Sequence, residues 1–174
     1  ITGSFKIRGA SNAIGRLNQS QMKAGVVCVS TGNHGRGIAF AAKQAGIRSY
    51  IYMSSLVPEN KVKAITDLGA EIQIVGKSQD EAEQQALDYC RRTGAIYLPP
   101  FDHRDIICGQ GTLGLEILRQ VPDVACVLVP LSGCGLVSGI ATAIKVVKPD
   151  CKIIAISMEK GAAMIESQQA GKPI

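Results

Sequence analysis

Val26-Val27-Cys28-Val29-Ser30-Thr31-Gly32-Asn33-His34-Gly35-Arg36-Gly37 is the stretch on which the fold turns. Its first four residues are apolar and mostly β-branched, which reads as a short buried strand. A glycine-bearing loop follows at once. Gly35 to Ala45 then repeats apolar residues at helical spacing and stops at Gly46, a residue suited to the left-handed position that closes a helix. A strand feeding a helix through a glycine loop is half of a parallel α/β unit, so the neighbouring segments should follow the same rhythm.

They keep it. Downstream, Tyr50–Met53 reads as a strand. Pro58 opens a helix that runs to Leu68 and stops at Gly69. Ile72–Val75 is the next strand. Ser78-x-x-Glu81 has the form of a capping box, starting a helix that reaches about Arg92 before Gly94. Ala95–Leu98 is a strand ended by Pro99-Pro100. Upstream, Phe5 to Leu17 forms an amphipathic helix with Ile7, Ala10, Ala13, Ile14 and Leu17 on one face. Beyond the prolines come a loop with Asp102 and His103, a helix over Thr112 to Gln120, and the most hydrophobic strand, Val124–Val129. A turn from Pro130 to Gly135, a helix from Leu136 to Val147, a strand at Ile153–Ile156 and the start of another helix complete the pattern. This alternation predicts an α/β fold of parallel sheets wrapped by helices and buried on both faces. The double proline and change of rhythm near residue 100 predict a lobe boundary.

Composition narrows the function. With 174 residues and 46% hydrophobic content, the chain can bury a core. The longest apolar run, Val124 to Leu131, contains Pro130 and is too short to span a membrane. Four Tyr, three Phe and no Trp give no stacking platform, and the net +5 charge is spread rather than clustered, so nucleic acid is not an expected partner. The six cysteines form no C-x-x-C pair, which sets aside a zinc ribbon or thioredoxin motif. No secretory leader is visible, so reduced thiols and a cytoplasmic setting are expected. The sequence starts at Ile1 with a functional-looking motif immediately behind it, as expected for a segment of a longer chain.

Three segments carry chemistry. In parallel α/β folds, ligands lie at the carboxyl ends of strands, where loops feed helix N-termini. Ser30-Thr31-Gly32-Asn33-His34-Gly35 is one such loop, with side chains able to hydrogen-bond a ligand. Leu131-Ser132-Gly133-Cys134-Gly135-Leu136 is the second, and its backbone N–H groups suit a phosphate. Each is equally readable as a glycine turn required by the backbone. The second also invites a dinucleotide reading, with Glu159 as a ribose-binding acid, but Gly139 comes one residue late for G-x-G-x-x-G. The third segment, Ser4-Phe5-Lys6-Ile7-Arg8-Gly9, puts a lysine at a helix start, where the positive end of the helix disfavours its charge. It reads either as an exposed lysine or as an amine of lowered pKa that bonds an aldehyde cofactor.

Together and in this order, S-F-K-I-R-G, S-T-G-N-H-G and S-G-C-G-L resemble the fold-type II pyridoxal-phosphate enzymes, which share the two-lobed tryptophan synthase β-like fold. Within them the sequence is most similar to the threonine/serine dehydratase and serine racemase family. The resemblance runs over essentially the whole chain, including Pro58-Glu59-Asn60-Lys61 and Gly109-Gln110-Gly111-Thr112. S-T-G-N-H-G-R-G, V-P-E-N-K and S-M-E-K-G-A-A-M look most like the dehydratases of ectoine and hydroxyectoine utilisation.

The resemblance implies pyridoxal 5'-phosphate as cofactor, bonded by Lys6, which also removes the Cα proton. It implies that Phe5 packs on the cofactor ring, that Asn33 bonds its 3-hydroxyl, and that Ser132, Gly133, Cys134, Gly135 and Leu136 hold its phosphate. Ser30, Thr31, Gly32 and His34 would line the carboxylate site of a small amino-acid substrate, with Thr31 also a catalytic candidate. His34 is read there as structural or carboxylate-binding rather than as an acid or base, and His103 as a loop or lobe-junction residue. The implied reaction is loss of the β-hydroxyl of a threonine- or serine-type amino acid, giving a 2-oxo acid and ammonia; the alternatives are amino-acid racemisation and a noncatalytic fragment of such an enzyme.

Four departures qualify it. Cys134 stands where the phosphate loop favours glycine, and its Cβ penalises a positive φ. Thr31 stands where serine racemases carry a serine, and its stiff χ1 tilts the reading toward a dehydratase. The family's divalent-cation positions align with Ser157 and Ala163, leaving Glu159 alone, so no metal is expected. Family members are about twice as long, so both ends are expected to be missing and the fold incomplete. Residues 1–23 and 102–174 would then be parts of the large cofactor lobe and 24–101 the small substrate lobe. A homodimer is the assembly implied for the full-length protein, though no feature of this sequence establishes it.

Overall fold

A computed structural model describes residues 2–159 and 163–172. Its contacts divide the chain into two compact units, Ile1–Pro100 and Phe101–Ile174. The boundary falls at the double proline.

The first unit contains α1 (Lys6–Gly15), α2 (Gln19–Ala24), β1 (Val26–Val29), α3 (Asn33–Ala45), β2 (Ser49–Met53), α4 (Glu59–Thr66), β3 (Glu71–Ile74), α5 (Gln79–Thr93) and β4 (Ile96–Tyr97). Its sheet is parallel throughout, in the order β3-β2-β1-β4. The register puts Val26 opposite Ser49 and Val27 opposite Tyr97. Because side chains alternate along a strand, the central strands present two apolar faces. Val27, Val29, Tyr50 and Tyr52 join Ala82, Ala86 and Ala95 in one cluster, with the Tyr89 ring tilted 51° to that of Tyr50 at a centroid distance of 4.9 Å. Ile51 turns the other way, toward α3: a Cβ on Gly35 would lie 3.3 Å from its Cγ2. Each fully buried Val or Ile stabilises the unit by about 1.5–3 kcal/mol against leaving it exposed.

Local signals set the helix ends. Gly46 and Gly94 close α3 and α5 at φ 67° and 75°. The Ser78 hydroxyl accepts from the Glu81 N–H, but the Glu81 carboxylate accepts from the Lys77 N–H, one residue beyond the N-cap N–H of the expected box. The helix expected over Phe5–Leu17 stops at Gly15. A separate short helix, α2, follows, opened by a capping box of Asn18 and Gln21 that the apolar periodicity does not reveal. The residues of α1, expected with the cofactor lobe, pack on α3 in the first unit, where a Cβ on Gly37 would stand 3.3 Å from the Lys6 carbonyl.

The second unit contains α6 (Arg104–Gln120), β5 (Cys126–Pro130), α7 (Gly135–Val147), β6 (Lys152–Ile156) and α8 (Ala163–Ala170). β5 and β6 pair in parallel, Cys126 opposite Lys152 through Pro130 opposite Ile156. Val129, Ile140, Ile144 and Cys151 form its core. Within this chain β5 and β6 are not covered on both faces: Leu128 is 61% exposed, and Ile154 and Ile156 are also open. α6 begins eight residues before the expected Thr112: Gly109 and Gly111, outside the expected helix, are helical and buried, and Gly111 and Gly114 are pressed against α7. No helix among the described residues is long and apolar enough to cross a membrane. All six cysteines are free thiols.

Candidate active site

In the first unit the expected site residues converge at the C-terminal edge of β1. Lys6 is the first residue of α1, and its N–H is held by the Ser4 hydroxyl at 3.2 Å. The side chain is half-buried. Its Nζ donates to the Pro100 carbonyl at 2.6 Å and lies 5.4 Å from the Phe5 ring centroid. Burial pushes the Lys6 amine below the usual lysine range. A lowered pKa increases the share of the neutral, nucleophilic form, the state an aldehyde-bonding lysine requires.

Ser30, Thr31 and Gly32 form the turn from β1 into α3. The Ser30 hydroxyl accepts from the Gly32 N–H at 3.2 Å, shaping the loop around itself. Gly32 is the N-cap of α3, with no side-chain cap bond and no acidic residue in the first turn. The N–H groups at the start of α3 therefore remain available to an anion, and the helix dipole favours one. Asn33, the first residue of α3, is exposed, as a ligand-contacting side chain needs to be.

The His34 side chain takes the structural one of its two expected roles. It is 3% exposed, and its ring points into the unit, with Nε2 2.8 Å from the Leu98 carbonyl oxygen. The acceptor is a carbonyl, so Nε2 carries the proton. Burial pushes its pKa down to about 4, against the opposing pull of the Leu98 bond and with a smaller push from the Lys6 charge. The ring is neutral in the physiological range. What remains for a ligand at this position is its backbone N–H.

In the second unit, Ser132, Gly133 and Cys134 turn from β5 into α7, followed by Gly135 and Leu136. Cys134 is the N-cap and adopts φ 64°, the only positive φ among described non-glycine residues. α7, like α3, has no side-chain cap bond and no acid in its first turn. Gly135 cannot carry a side chain, since a Cβ would come within 2.9 Å of the Phe101 carbonyl. Gly139, weighed as part of a dinucleotide fingerprint, belongs instead to the α6–α7 contact. His103 caps α6, its Nδ1 accepting from the Asp105 N–H. The Lys160-Gly161-Ala162 part of S-M-E-K-G-A-A-M lies outside the described residues.

In the first unit a half-buried amine of lowered basicity suits an aldehyde and the uncapped start of α3 suits an anion; in the second unit the uncapped start of α7 suits an anion. The chain belongs to the pyridoxal-phosphate dependent enzyme family, whose sequence model matches residues 1–174. A Sinorhizobium fredii protein, provisionally named a threonine dehydratase, is 53% identical over 173 residues, which are 99% of this chain and 52% of that protein. The solved structure of the processed form of threonine deaminase isoform 2 from Solanum lycopersicum superposes with TM-score 0.95 at 38% identity, covering 98% of this chain and 50% of that one. Maize serine racemase gives TM-score 0.95 at 39% identity, covering 99% and 53%. The chain spans about half the length of these relatives.

Fit to the cofactor can be judged from the donor set alone. Lys6 offers the amine that bonds an aldehyde. At the start of α7 the Gly135 N–H donates to the Gly133 carbonyl at 2.9 Å, while no side chain caps the N–H groups that follow it and no carboxylate stands in the first turn to repel a phosphate. The residues fit pyridoxal phosphate.

Proposed function

We propose that the protein is a pyridoxal-phosphate dependent ammonia-lyase that removes the β-hydroxyl of a small hydroxy-amino acid of the threonine/serine type, releasing a 2-oxo acid and ammonia. The observation that carries the reading is the half-buried Lys6 amine, held on the Pro100 carbonyl beside the uncapped N-terminus of α3.

Lys6 Nζ would hold the cofactor through its aldehyde and, when free, take the proton from the substrate Cα. Bound pyridoxal phosphate supplies the electron sink for the charge left at that carbon. The open N–H groups at the start of α3, with Ser30, Thr31 and Gly32, would bind the substrate carboxylate and fix which bond faces Lys6. Asn33 would bond the cofactor's 3-hydroxyl, and Phe5 would pack on its ring. Ser132, Gly133, Cys134, Gly135 and Leu136 would hold the phosphate. In this assignment residues 24–101 form the substrate lobe, while 1–23 and 102–174 contribute to the cofactor lobe.

Racemisation is the competing reading, supported by the likeness to maize serine racemase. Thr31, where racemases carry serine, favours elimination. The finer assignment to ectoine and hydroxyectoine utilisation rests on the sequence of the Ser30, Val57 and Ser157 segments, and it adds hydroxyectoine-derived amino acids to the substrates worth screening. The free thiols favour a cytoplasmic setting, and the family resemblance favours a homodimer.

The test is cofactor absorbance in the full chain, with Lys6→Ala alongside, followed by 2-oxo acid release from threonine and serine and chiral analysis of recovered substrate. A visible band that requires Lys6, with 2-oxo acid release, supports the lyase. Inverted substrate without 2-oxo acid supports the racemase. No band in the full chain overturns both.

A further inference from the structure

We propose that His34 is a positioning residue for Lys6: it fastens the first turn of α3 to the Leu98 carbonyl, and thereby holds the Pro100 carbonyl as the docking point of the free Lys6 amine. The inference rests on the reading of Lys6 as the cofactor lysine.

The sheet ladder runs one residue past β4, the Leu98 N–H donating to the Val27 carbonyl at 2.8 Å. The Leu98 carbonyl then accepts from His34 Nε2, also at 2.8 Å. Leu98 is thus tied at both its N–H and its C=O, and its side chain is buried. His34 makes this bond at a cost, because its Nδ1 is buried with no partner. The ring is committed to one acceptor.

Next come Pro99 and Pro100. Each proline locks its own φ, and each restricts the residue before it. The path from the Leu98 carbonyl to Pro100 therefore has little freedom, and fixing the first carbonyl narrows the positions open to the second, which only the Pro100 ψ still turns. The Pro100 carbonyl is the acceptor for Lys6 Nζ at 2.6 Å.

The other end of Lys6 is governed by the same stretch of α3. A Cβ on Gly37 would lie 3.3 Å from both the carbonyl carbon and oxygen of Lys6, so α3 packs directly on the lysine's backbone. One turn of helix separates Gly37 from His34. Gly37 sets where the Lys6 side chain starts, and His34, through Leu98 and the prolines, sets where its amine stops. A lysine stem otherwise has many rotamers to lose. Between cofactor-bonded states the free amine would be kept in one place.

The experiment uses the full chain stripped of cofactor. Pyridoxal phosphate is added, the adduct is trapped with borohydride, and the labelled lysine is located by peptide mass. Capture by Lys6 is expected to slow about tenfold in His34→Leu, in line with the effect of a small misplacement on a reacting group. It is expected to return to within about twofold of the parent in His34→Gln, whose amide offers a donor at similar reach. Pro100→Gly, which leaves His34 and Leu98 intact and loosens only the link, is expected to slow capture as His34→Leu does, and it decides the matter if His34→Leu does not fold. In the holoenzyme kcat is expected to fall in step with capture, with KM changed by less than about twofold. Parent-rate capture in His34→Leu or Pro100→Gly overturns the proposal, as does a folded His34→Gln that stays slow. Label on a different lysine overturns the cofactor-lysine reading itself, and this inference with it. Label on Lys6 at unchanged rate overturns this inference alone.

Discussion

Gly111 of α6 and Gly139 of α7 meet backbone to backbone: a Cβ on Gly111 would stand 3.0 Å from the Gly139 carbonyl oxygen, and one on Gly139 would stand 2.7 Å from the Gly111 nitrogen. Neither glycine has a positive φ, so space alone forbids a side chain. In an open helix, replacing Gly by Ala gains about 0.5–1 kcal/mol. Here Gly139→Ala must also push α6 off α7, and overpacking of this kind costs about 1–3 kcal/mol. The clash wins, and Gly139→Ala is expected to destabilise the full chain by about 1–2 kcal/mol in urea unfolding. Gly15, with nothing within 4 Å of its missing Cβ and no positive φ, is the contrast: Gly15→Ala is expected to stabilise by a few tenths of a kcal/mol.

Cys134 tests the opposite case, a side chain where the backbone favours none. Its φ of 64° costs an L-residue about 1–2 kcal/mol. Cys134→Gly removes that strain but frees the unfolded chain, which gives back about 0.4–1 kcal/mol. The net expectation is a gain of between nothing and about 1.5 kcal/mol, and, if the proposed phosphate contact is through backbone N–H groups, phosphate binding is retained. Cys134→Val adds β-branching at the same φ and is expected to lose at least about 1 kcal/mol and to weaken cofactor binding. Melting curves with and without pyridoxal phosphate measure both effects.

These positions show what a linear sequence can and cannot carry. The signals for β1, for the Ser78 cap and for the Gly46 and Gly94 closures are local: a β-branched run, a hydroxyl three residues before a carboxylate, a glycine after the last apolar repeat. Those elements were legible to within a residue or two. The first half of α6 was not, because Cys108-Gly109-Gln110-Gly111 has loop propensity and is helical only through its contact with α7. Lys6, Thr31 and the Ser132–Leu136 turn were legible as motifs. That His34 turns inward to Leu98, sixty-four residues away, was not, since nothing near either residue marks the pairing. The Pro100 carbonyl is invisible in the same way, because every residue has a carbonyl and only the fold selects this one.

His103 illustrates a residue whose chemistry is local. It was expected to be a loop or lobe-junction residue; it is the N-cap of α6, with Nδ1 accepting from the Asp105 N–H at 3.2 Å. Replacing a cap by Ala costs about 0.5–2 kcal/mol, and a bond this long belongs at the low end. His103→Ala is expected to lower stability by about 0.5 kcal/mol, and His103→Asn, a stronger cap, to restore or exceed the parent value. Neither is expected to change cofactor capture by Lys6. A His103→Ala variant that folds normally but fails to capture cofactor would give this residue a part in the site.

The buried His34 ring also predicts how stability varies with pH. Its folded pKa is about 4, against an ordinary value of 6.5, and burial is the main cause. Between those values the unfolded chain binds a proton at this ring and the folded chain does not. The unfolded state therefore gains protons as pH falls, and stability rises with pH across the window. The contribution is complete above pH 6.5 and drains away as pH falls toward 4. Holding a proton off the folded ring costs stability at about 1.4 kcal/mol for each pH unit of that window, so its full width is worth on the order of 3 kcal/mol. His34→Gln has no proton to take up there. The difference in unfolding free energy between the parent and His34→Gln is expected to shrink or reverse as pH is lowered from 7 to about 4.5, the parent losing more. Parallel curves for the two proteins would mean that the ring is already protonated or solvated in the folded state, and would remove the buried neutral donor on which the Leu98 tie depends.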